Sequence, residues 1–482
     1  MANHTLIIDQ GGHSTRAIVF NKKGEPVHFV SEPVSDPITE QDGFVEYDPQ
    51  AIIDSVFVLL ERLSTQLKPK TMRKISAAGL VAQRSSIVAC QKHSGTPITP
   101  MISWQDTRHA QWLNQQAFDI DHLQSKTGLR LNAHMGASKI TWLLDNDAQV
   151  QHYLGNNNLV FVPWGGFLAY HLCKGVRLVS DPVLAARTGL TAYGEAQWSD
   201  DLLRLFGIPQ TCLPPIQPSA SHYGELSLGA HKISLRLLGG DQNFIPYAYG
   251  EDHHRYAAFL NIGTGAFIQA VADNGCYSPL LKTSPAINGN NARITPVIEG
   301  TINGAASVLD WWQQQLPRPY TMGELGSLLE TSTVVPIFIN TLFGSGSPYW
   351  TRDKKPEFIA SDNTSHTNEE KTVAVLESII FAITINFEHI KKINPRIQHI
   401  IISGGLSKID SLCQRLADLS MHTVYRYKDS EASARGLVFY MKNIRQYQPR
   451  EPVEGFKHKQ TGASAMLRAR FNKVCEWMSQ CE

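Results

Sequence analysis

A short apolar run, Thr5 to Asp9, meets Gly11-Gly12 and resumes as a second run from Thr15 to Asn21, the pattern of a β-hairpin closed by a glycine turn. The arrangement returns about 250 residues later: Tyr256 to Asn261 is apolar, Gly263-Thr264-Gly265 turns the chain, and Ala266 to Val271 continues as a strand. Two glycine hairpins, one opening each half, predict a duplicated architecture. Between them, Pro49 to Leu67 carries apolar residues at helical spacing, whereas Lys74 to Cys90 and Leu159 to Val162 read as strands. The second half repeats the alternation. A helix is expected over Glu370 to Ile390, a strand over Ile397 to Ser403, and Gly404-Gly405 lead into a helical Ser407 to Leu419. Alternating strands and helices predict an α/β fold. A boundary near residues 245 to 255 gives domains 1–248 and 249–446, followed by a tail, 447–482, that ends in a helical Ala463 to Ser479.

Composition narrows the class of protein. With 482 residues, 42% of them apolar, the chain can bury a large core, and its length favours two domains over one. Lys plus Arg total 44 against 43 for Asp plus Glu, a formal charge of +1, so no global field favours nucleic acid or an anionic membrane. Any phosphate must therefore be held locally. The seven cysteines (Cys90, Cys173, Cys212, Cys276, Cys413, Cys475 and Cys481) are scattered without metal-site or redox spacing and read as the reduced thiols of a cytoplasmic protein. No secretory signal is read at the N-terminus. The long uncharged stretch from Leu159 to Cys173, broken by Pro163, Gly165 and Gly166, reads as buried core rather than a membrane span.

Several residues could carry chemistry. Glycine turns expose backbone N–H groups that cradle phosphate oxygens, and the chain has two such turns but no Walker lysine motif. Ordinary hairpins use the same residues. Asp9 ends its strand just before the first turn, where a carboxylate could hold Mg²⁺ through water beside phosphates, or could simply cap the turn. Asp241 follows Leu237-Leu238-Gly239-Gly240 at another strand end, near the expected boundary, where small-molecule sites tend to lie. In ISWQDTRHA, Trp104, Asp106 and Arg108 alternate, and Arg84 follows a strand in VAQRSSI. A ring and a guanidinium make a wall for a polyhydroxylated ligand, or pack against each other around a salt bridge.

Taken in order, these pieces resemble the FGGY carbohydrate kinases. The match runs through IIDQGGHSTRA, GFVEYDP, AQRSS, SWQDTR, TGLRLNAHMGASKITWLL, SDPVLAARTGL and GGDQ, then NIGTGAFI, IEGTINGAASVLDWW, GSPYW, VLESI and SGG with SEASARG. The resemblance, strongest toward the glycerol-phosphorylating branch, implies an actin- and hexokinase-like (ribonuclease H-like) two-domain fold with an ATP cleft between the domains. It implies Asp241 as the general base and Asp9 as the carboxylate near Mg²⁺. Gly11, Gly12, His13 and Arg16 match the first ATP-binding segment, Gly263, Thr264 and Gly265 the second phosphate loop, and Gly404 and Gly405 the loop that packs on adenine. Arg84, Ser85, Trp104, His134, Asp241, Gln242 and Phe267 match positions of the acceptor pocket. The family's members are often dimers or tetramers, so a homodimer or homotetramer is expected, with no nucleic-acid or membrane partner.

Departures from the pattern bear on the substrate. Ser85 stands where the branch has Glu, and His134 where it has Tyr. Loss of a charged acceptor costs a substrate hydroxyl about 1.5–3 kcal/mol unless water replaces it. The smaller Ser85 leaves room for a four- or five-carbon polyol or ketose. Gly12 and His13 replace two Thr residues of the phosphate loop, and TRDKKPEFIAS replaces an Asp and Arg-Gly signature after Pro348-Tyr349-Trp350. The expected activity is ATP-dependent phosphorylation of a small sugar or polyol. The departures leave open a second reading, a catalytically weakened or inactive relative that binds sugar or nucleotide as a sensor or scaffold. A third, an ATPase without a small acceptor, is disfavoured by Arg84, Trp104 and Phe267.

Overall fold

The computed structural model describes residues 4–41, 43–173, 177–273, 276–288, 294–331, 334–350, 355–359, 365–427, 431–444 and 453–479. The chain divides into two compact units. The first comprises Met1–Glu251, Thr283–Val297 and Glu431–Tyr447, and the second Asp252–Lys282, Ile298–Ser430 and Gln448–Glu482.

The first unit is built on strands β1 (His4–Gln10), β2 (Ser14–Phe20), β3 (Pro26–Pro33), β4 (Ile75–Ala82), β5 (Glu225–Leu228) and β6 (His231–Gly240), in the spatial order β3-β2-β1-β4-β6-β5. The first glycine hairpin is β1–β2, antiparallel with Asp9 opposite Arg16. β1 and β6 both run parallel to β4, so Gln10 and Gly240 each pair with Ala82. Alternation along β1 then sorts its side chains between two layers. Leu6 and Ile8 join a core with Ile52, Val56, Leu59 and Leu63 of helix Pro49–Gln66. Ile7 turns to the opposite face, where Ile18, Phe20 and Val81 meet Ala434, Leu437 and Val438 of helix Ala432–Lys442. The first helix starts where Asp48 accepts the Gln50 amide and Pro49 occupies the first turn.

The second unit repeats this plan. Six strands of its main sheet, β7 (Ala257–Ile262), β8 (Ala266–Val271), β9 (Ile294–Ile302, whose residues from Ile298 on belong to this unit), β10 (His399–Gly404), β11 (Thr423–Arg426) and β12 (Glu454–Phe456), lie in the order β9-β8-β7-β10-β11-β12. As in the first unit, an antiparallel glycine hairpin (β7–β8) is followed by two parallel neighbours and an antiparallel edge strand. Helix Asn368–Ile393 is, by length and composition, apolar enough to cross a membrane, but it is largely buried among the apolar residues of this unit's core. Thr367 and Glu370 close its N-terminus as a capping box.

The structure adds three details to the expected layout. The units are not continuous in sequence. Residues 431–447 group with the first unit, because helix Ala432–Lys442 packs Leu437 into the space left at Gly79, where an added Cβ would lie 2.4 Å from Leu437 Cδ2. Residues 448–482 belong to the second unit, and helix Gly462–Ser479 contributes Leu467, Phe471, Val474 and Met478 to its core. The segment Lys74 to Cys90 is two strands, β4 and Ile87–Gln91, interrupted where Ser85 adopts a positive φ of 66°. Leu159–Pro163 pairs with Ile87–Gln91 in a separate five-stranded sheet, and with the helix Trp164–Leu172 it forms the buried stretch expected there. The six described cysteines are free thiols, and Cys481 lies outside the described residues.

Candidate active site

Three adjacent parallel strands of the first unit end together, and their pairing decides which side chains meet. The Asp241 amide donates to the Ala82 carbonyl at 3.1 Å and the Gln83 amide to the Gln10 carbonyl at 3.0 Å. The end of β1 therefore carries Asp9 and Gln10, the chain leaving β4 carries Gln83, Arg84 and Ser85, and the chain leaving β6 carries Asp241 and Gln242. Strand C-terminal ends are where open parallel sheets place their ligands. Arg84 Nε lies 3.8 Å from Asp241 Oδ1, and Arg84 Nη1 donates to Asn243 Oδ1 at 3.0 Å. Asp241 also accepts from the Gln242 amide at 2.9 Å and from Gln242 Nε2 at 3.3 Å. Its side chain retains 23% exposure, so a ligand can reach it.

Asp9 is more enclosed. Burial pushes its carboxyl up to about 7; Arg16 opposes the shift, while Asp241 and Glu431 add to it. Arg16 Nη1 lies 3.4 Å from Glu431 Oε2. Positive charge arriving beside Asp9 would favour its ionised form. Among the described residues no three His, Cys, Asp or Glu side chains converge as a metal site. A hard cation fits Asp9 only in company with water and phosphate oxygens, the usual habit of Mg²⁺.

The phosphate-type turn and the aromatic wall lie side by side. A Cβ on Gly12 would meet Trp104 Nε1 at 3.5 Å, and His13 is exposed. Trp104 is 38% exposed and its carbonyl accepts from His134 Nδ1 at 2.9 Å. His134 is exposed, whereas Ser85 is buried with Oγ 3.4 Å from the Arg187 carbonyl. Arg108 is not part of this wall. It is clamped by Asp106 at 2.8 Å and Glu46 at 2.7 Å between the rings of Phe44 and Trp142. This is the packing alternative for the ISWQDTRHA pattern, and of Trp104, Asp106 and Arg108 Trp104 is the exposed one.

Three residues beside the site escaped the sequence reading. Asn243 holds Arg84, and Glu431 reaches Arg16 across 415 positions of sequence. Lys139, 1% exposed, donates to the Ser85 and His134 carbonyls at 2.8 and 2.9 Å. Burial pulls its ammonium down to about 7, Asp106 opposing, with Arg108 and Arg187 lowering it further. Its one sequence signal is a lysine on the apolar face that Ala137 and Ile140 share.

In the second unit the two glycine loops also leave neighbouring parallel strands, since Ile262 pairs with Gly404. The carbonyl of Thr264 accepts from the amides of Ala305 and Ser307, so the turn is anchored at the start of helix Ala306–Gln313 while Thr264 itself is exposed. A Cβ on Gly265 would lie 2.8 Å from the Ile302 carbonyl oxygen. Gly404 and Gly405 are exposed, and Phe267 is half-buried on β8 opposite Asn261. Of the divergent segment after Trp350, residues 351–354 and 360–361 lie outside the described residues.

The chain matches the N-terminal domain of the FGGY family of carbohydrate kinases over residues 4–236 and its C-terminal domain over residues 258–440. It belongs to that family. The FGGY chain is 28% identical over 464 residues to a glycerol kinase of Coxiella burnetii, covering 91% of this chain and 88% of that protein. A glycerol kinase of Streptococcus uberis is 29% identical over 458 residues, with 90% and 88% coverage. Among solved structures, Plasmodium falciparum glycerol kinase with ADP superposes with a TM-score of 0.84 at 21% identity, covering 99% of this chain and 98% of that one. A ligand-bound xylulose kinase from Lactobacillus acidophilus gives 0.83 at 22% identity, with the same coverage. The two-domain fold is that of the FGGY kinases, and the enzyme is a phosphotransferase of the carbohydrate-kinase class.

Proposed function

We propose that this FGGY kinase transfers the γ-phosphate of ATP to a hydroxyl of a small polyol or sugar, with Asp241 as the general base. The observation that carries the reading is the shared end of β1, β4 and β6, which brings Asp9, Arg84 and Asp241 to one edge of one sheet. Asp241 accepts the proton of the attacking hydroxyl, and Arg84 beside it donates to the acceptor. Gln242, Trp104, Ser85 and His134 complete the acceptor wall in the first unit. In the first unit Gly11, Gly12, His13 and Arg16 are assigned to phosphate; in the second unit Gly263, Thr264 and Gly265 are assigned to phosphate and Gly404 with Gly405 to adenine. Asp9 would hold Mg²⁺ through water, and the ion would supply charge neutralisation on the phosphates.

Ser85 is short, its hydroxyl is turned toward a backbone carbonyl, and His134 is exposed. Both features favour a four- or five-carbon polyol or ketose over glycerol. A panel of three- to six-carbon polyols and ketoses, read by coupled ADP release, tests the assignment. Asp241→Asn should lower turnover by about 10²–10⁴-fold while ATP binding, read by calorimetry, is kept. Undiminished turnover in that variant would remove Asp241 from the role. ATP binding without turnover of any acceptor would favour a sensor or scaffold instead.

A further inference from the structure

Three residues read above as the acceptor wall, Ser85, Trp104 and His134, are joined by one chain of hydrogen bonds that closes on itself. Lys139 Nζ donates to the carbonyl of Ser85 at 2.8 Å and to that of His134 at 2.9 Å. His134 Nδ1 in turn donates to the carbonyl of Trp104 at 2.9 Å, and the Trp104 amide donates to Ser86 Oγ at 2.9 Å. Ser86 follows Ser85, so the circuit returns to its start.

Each link has a physical reason. An amine 1% exposed on helix Gly136–Asn146 needs polar partners, and these two carbonyls supply them. Ser85 has φ 66°, a conformation that a residue with a Cβ leaves unless it is held. His134 stands in the loop before the helix, with an exposed side chain and no strand to fix its backbone. The Lys139 ammonium is bonded to both backbones.

We infer that Lys139 is a positioning residue that sets acceptor specificity, fixing where Ser85 and His134 present themselves to the substrate. The inference rests on the reading of those two residues as the acceptor wall. Lys139 itself is sealed behind them and acts through their backbones. The two acceptor-pocket positions at which this chain departs from the glycerol kinase pattern are thereby tied to one buried group.

The test compares Lys139→Met, which keeps the length and removes the donors, with Lys139→Gln, whose shorter amide reaches a single carbonyl. Steady-state kinetics would be run on two acceptors of different length from the panel. K139M should raise the acceptor KM about tenfold and shift the preference between the two acceptors, with ATP KM and kcat within about threefold of wild type; K139Q should fall between. Thermal unfolding shows that the variants compared are folded. A folded K139M with wild-type acceptor KM and preference would overturn the inference. If K139M does not fold, K139Q decides: a rise of about threefold or more in acceptor KM at constant ATP KM supports it, and no rise overturns it. Wild-type enzyme inert on every polyol and sugar would sink the acceptor reading itself, and this inference with it, an outcome distinct from an active wild type whose variants are unchanged.

Discussion

Arg84 lies across the backbone of Gly240. A Cβ built on that glycine would fall 2.7 Å from Arg84 Cγ and 3.0 Å from Cδ. The glycine just before Asp241 is therefore required by the side chain that crosses it, which holds the guanidinium 3.8 Å from the Asp241 carboxylate.

Gly240→Ala should displace Arg84 without unfolding the sheet. Inserting a methyl group into a packed position costs about 1–3 kcal/mol, and here the part that yields is a side chain of the site. The expected result is an acceptor KM raised about tenfold, equivalent to about 1.4 kcal/mol, with ATP KM little changed. Kinetics on the preferred acceptor checks this. A variant with unaltered acceptor KM would mean that Arg84 does not bind the acceptor.

Arg108 offers a contrast, because its role is to hold the five-stranded sheet. The guanidinium meets Asp106 through Nε and Nη2, reaches Glu46, and sits 4.3 and 4.7 Å from the Phe44 and Trp142 ring centroids. Lysine reproduces neither the fork nor the stacking. Arg108→Lys should lower unfolding free energy by about 3 kcal/mol in denaturant titration, since it leaves the buried Asp106 partly unpaired. If acceptor KM changed by tenfold with stability intact, Arg108 would belong to the site after all.

These two arginines show where sequence reading succeeds and where it stops. Strand ends and glycine turns were legible because apolar runs broken by Gly report local backbone geometry, and Arg84 and Asp241 each follow such a run directly. Whether Arg108 faced a ligand or a carboxylate could not be read, since an aromatic near a guanidinium serves both ends and the deciding partner, Glu46, is 62 residues away. Glu431 beside Arg16 was hidden for the same reason. The apolar face of helix Ala432–Lys442 says that it covers a sheet, but not that the sheet begins at His4. Lys139 was obscured by the ordinary expectation that a lysine on a helix is solvated.

Gly404 is constrained by backbone alone. It has φ 97°, and a Cβ there would lie 2.2 Å from the Ile262 carbonyl oxygen. The neighbour is a paired strand end that cannot move aside as a flexible side chain would. Gly404→Ala should destabilise the protein by about 2–4 kcal/mol, whereas Gly405→Ala, with open space at its Cβ, should cost under about 1 kcal/mol. Thermal melts of the two variants provide the comparison; equal losses would contradict the geometry.

The Asp9 carboxyl makes a prediction about pH, and its sign follows from burial. Its ordinary value is 3.8, and in the folded protein it is held up to about 7, mainly by desolvation. Between these values the folded protein binds more protons at this site than the unfolded chain does, so Asp9 lowers stability progressively as pH rises from about 4 to about 7. The contribution is greatest at and below the unfolded value and is lost as pH passes the folded one. Asp9→Asn removes the titration and keeps the shape. The stability difference between wild type and D9N should therefore drift in favour of the variant across this window, by up to a few kcal/mol at 1.36 kcal/mol per pKa unit. Denaturant unfolding at pH 4, 5.5 and 7 measures the drift. A constant difference would mean that Asp9 is ionised throughout, with Arg16 outweighing the burial; in that case the carboxylate stands ready for a cation before any phosphate arrives.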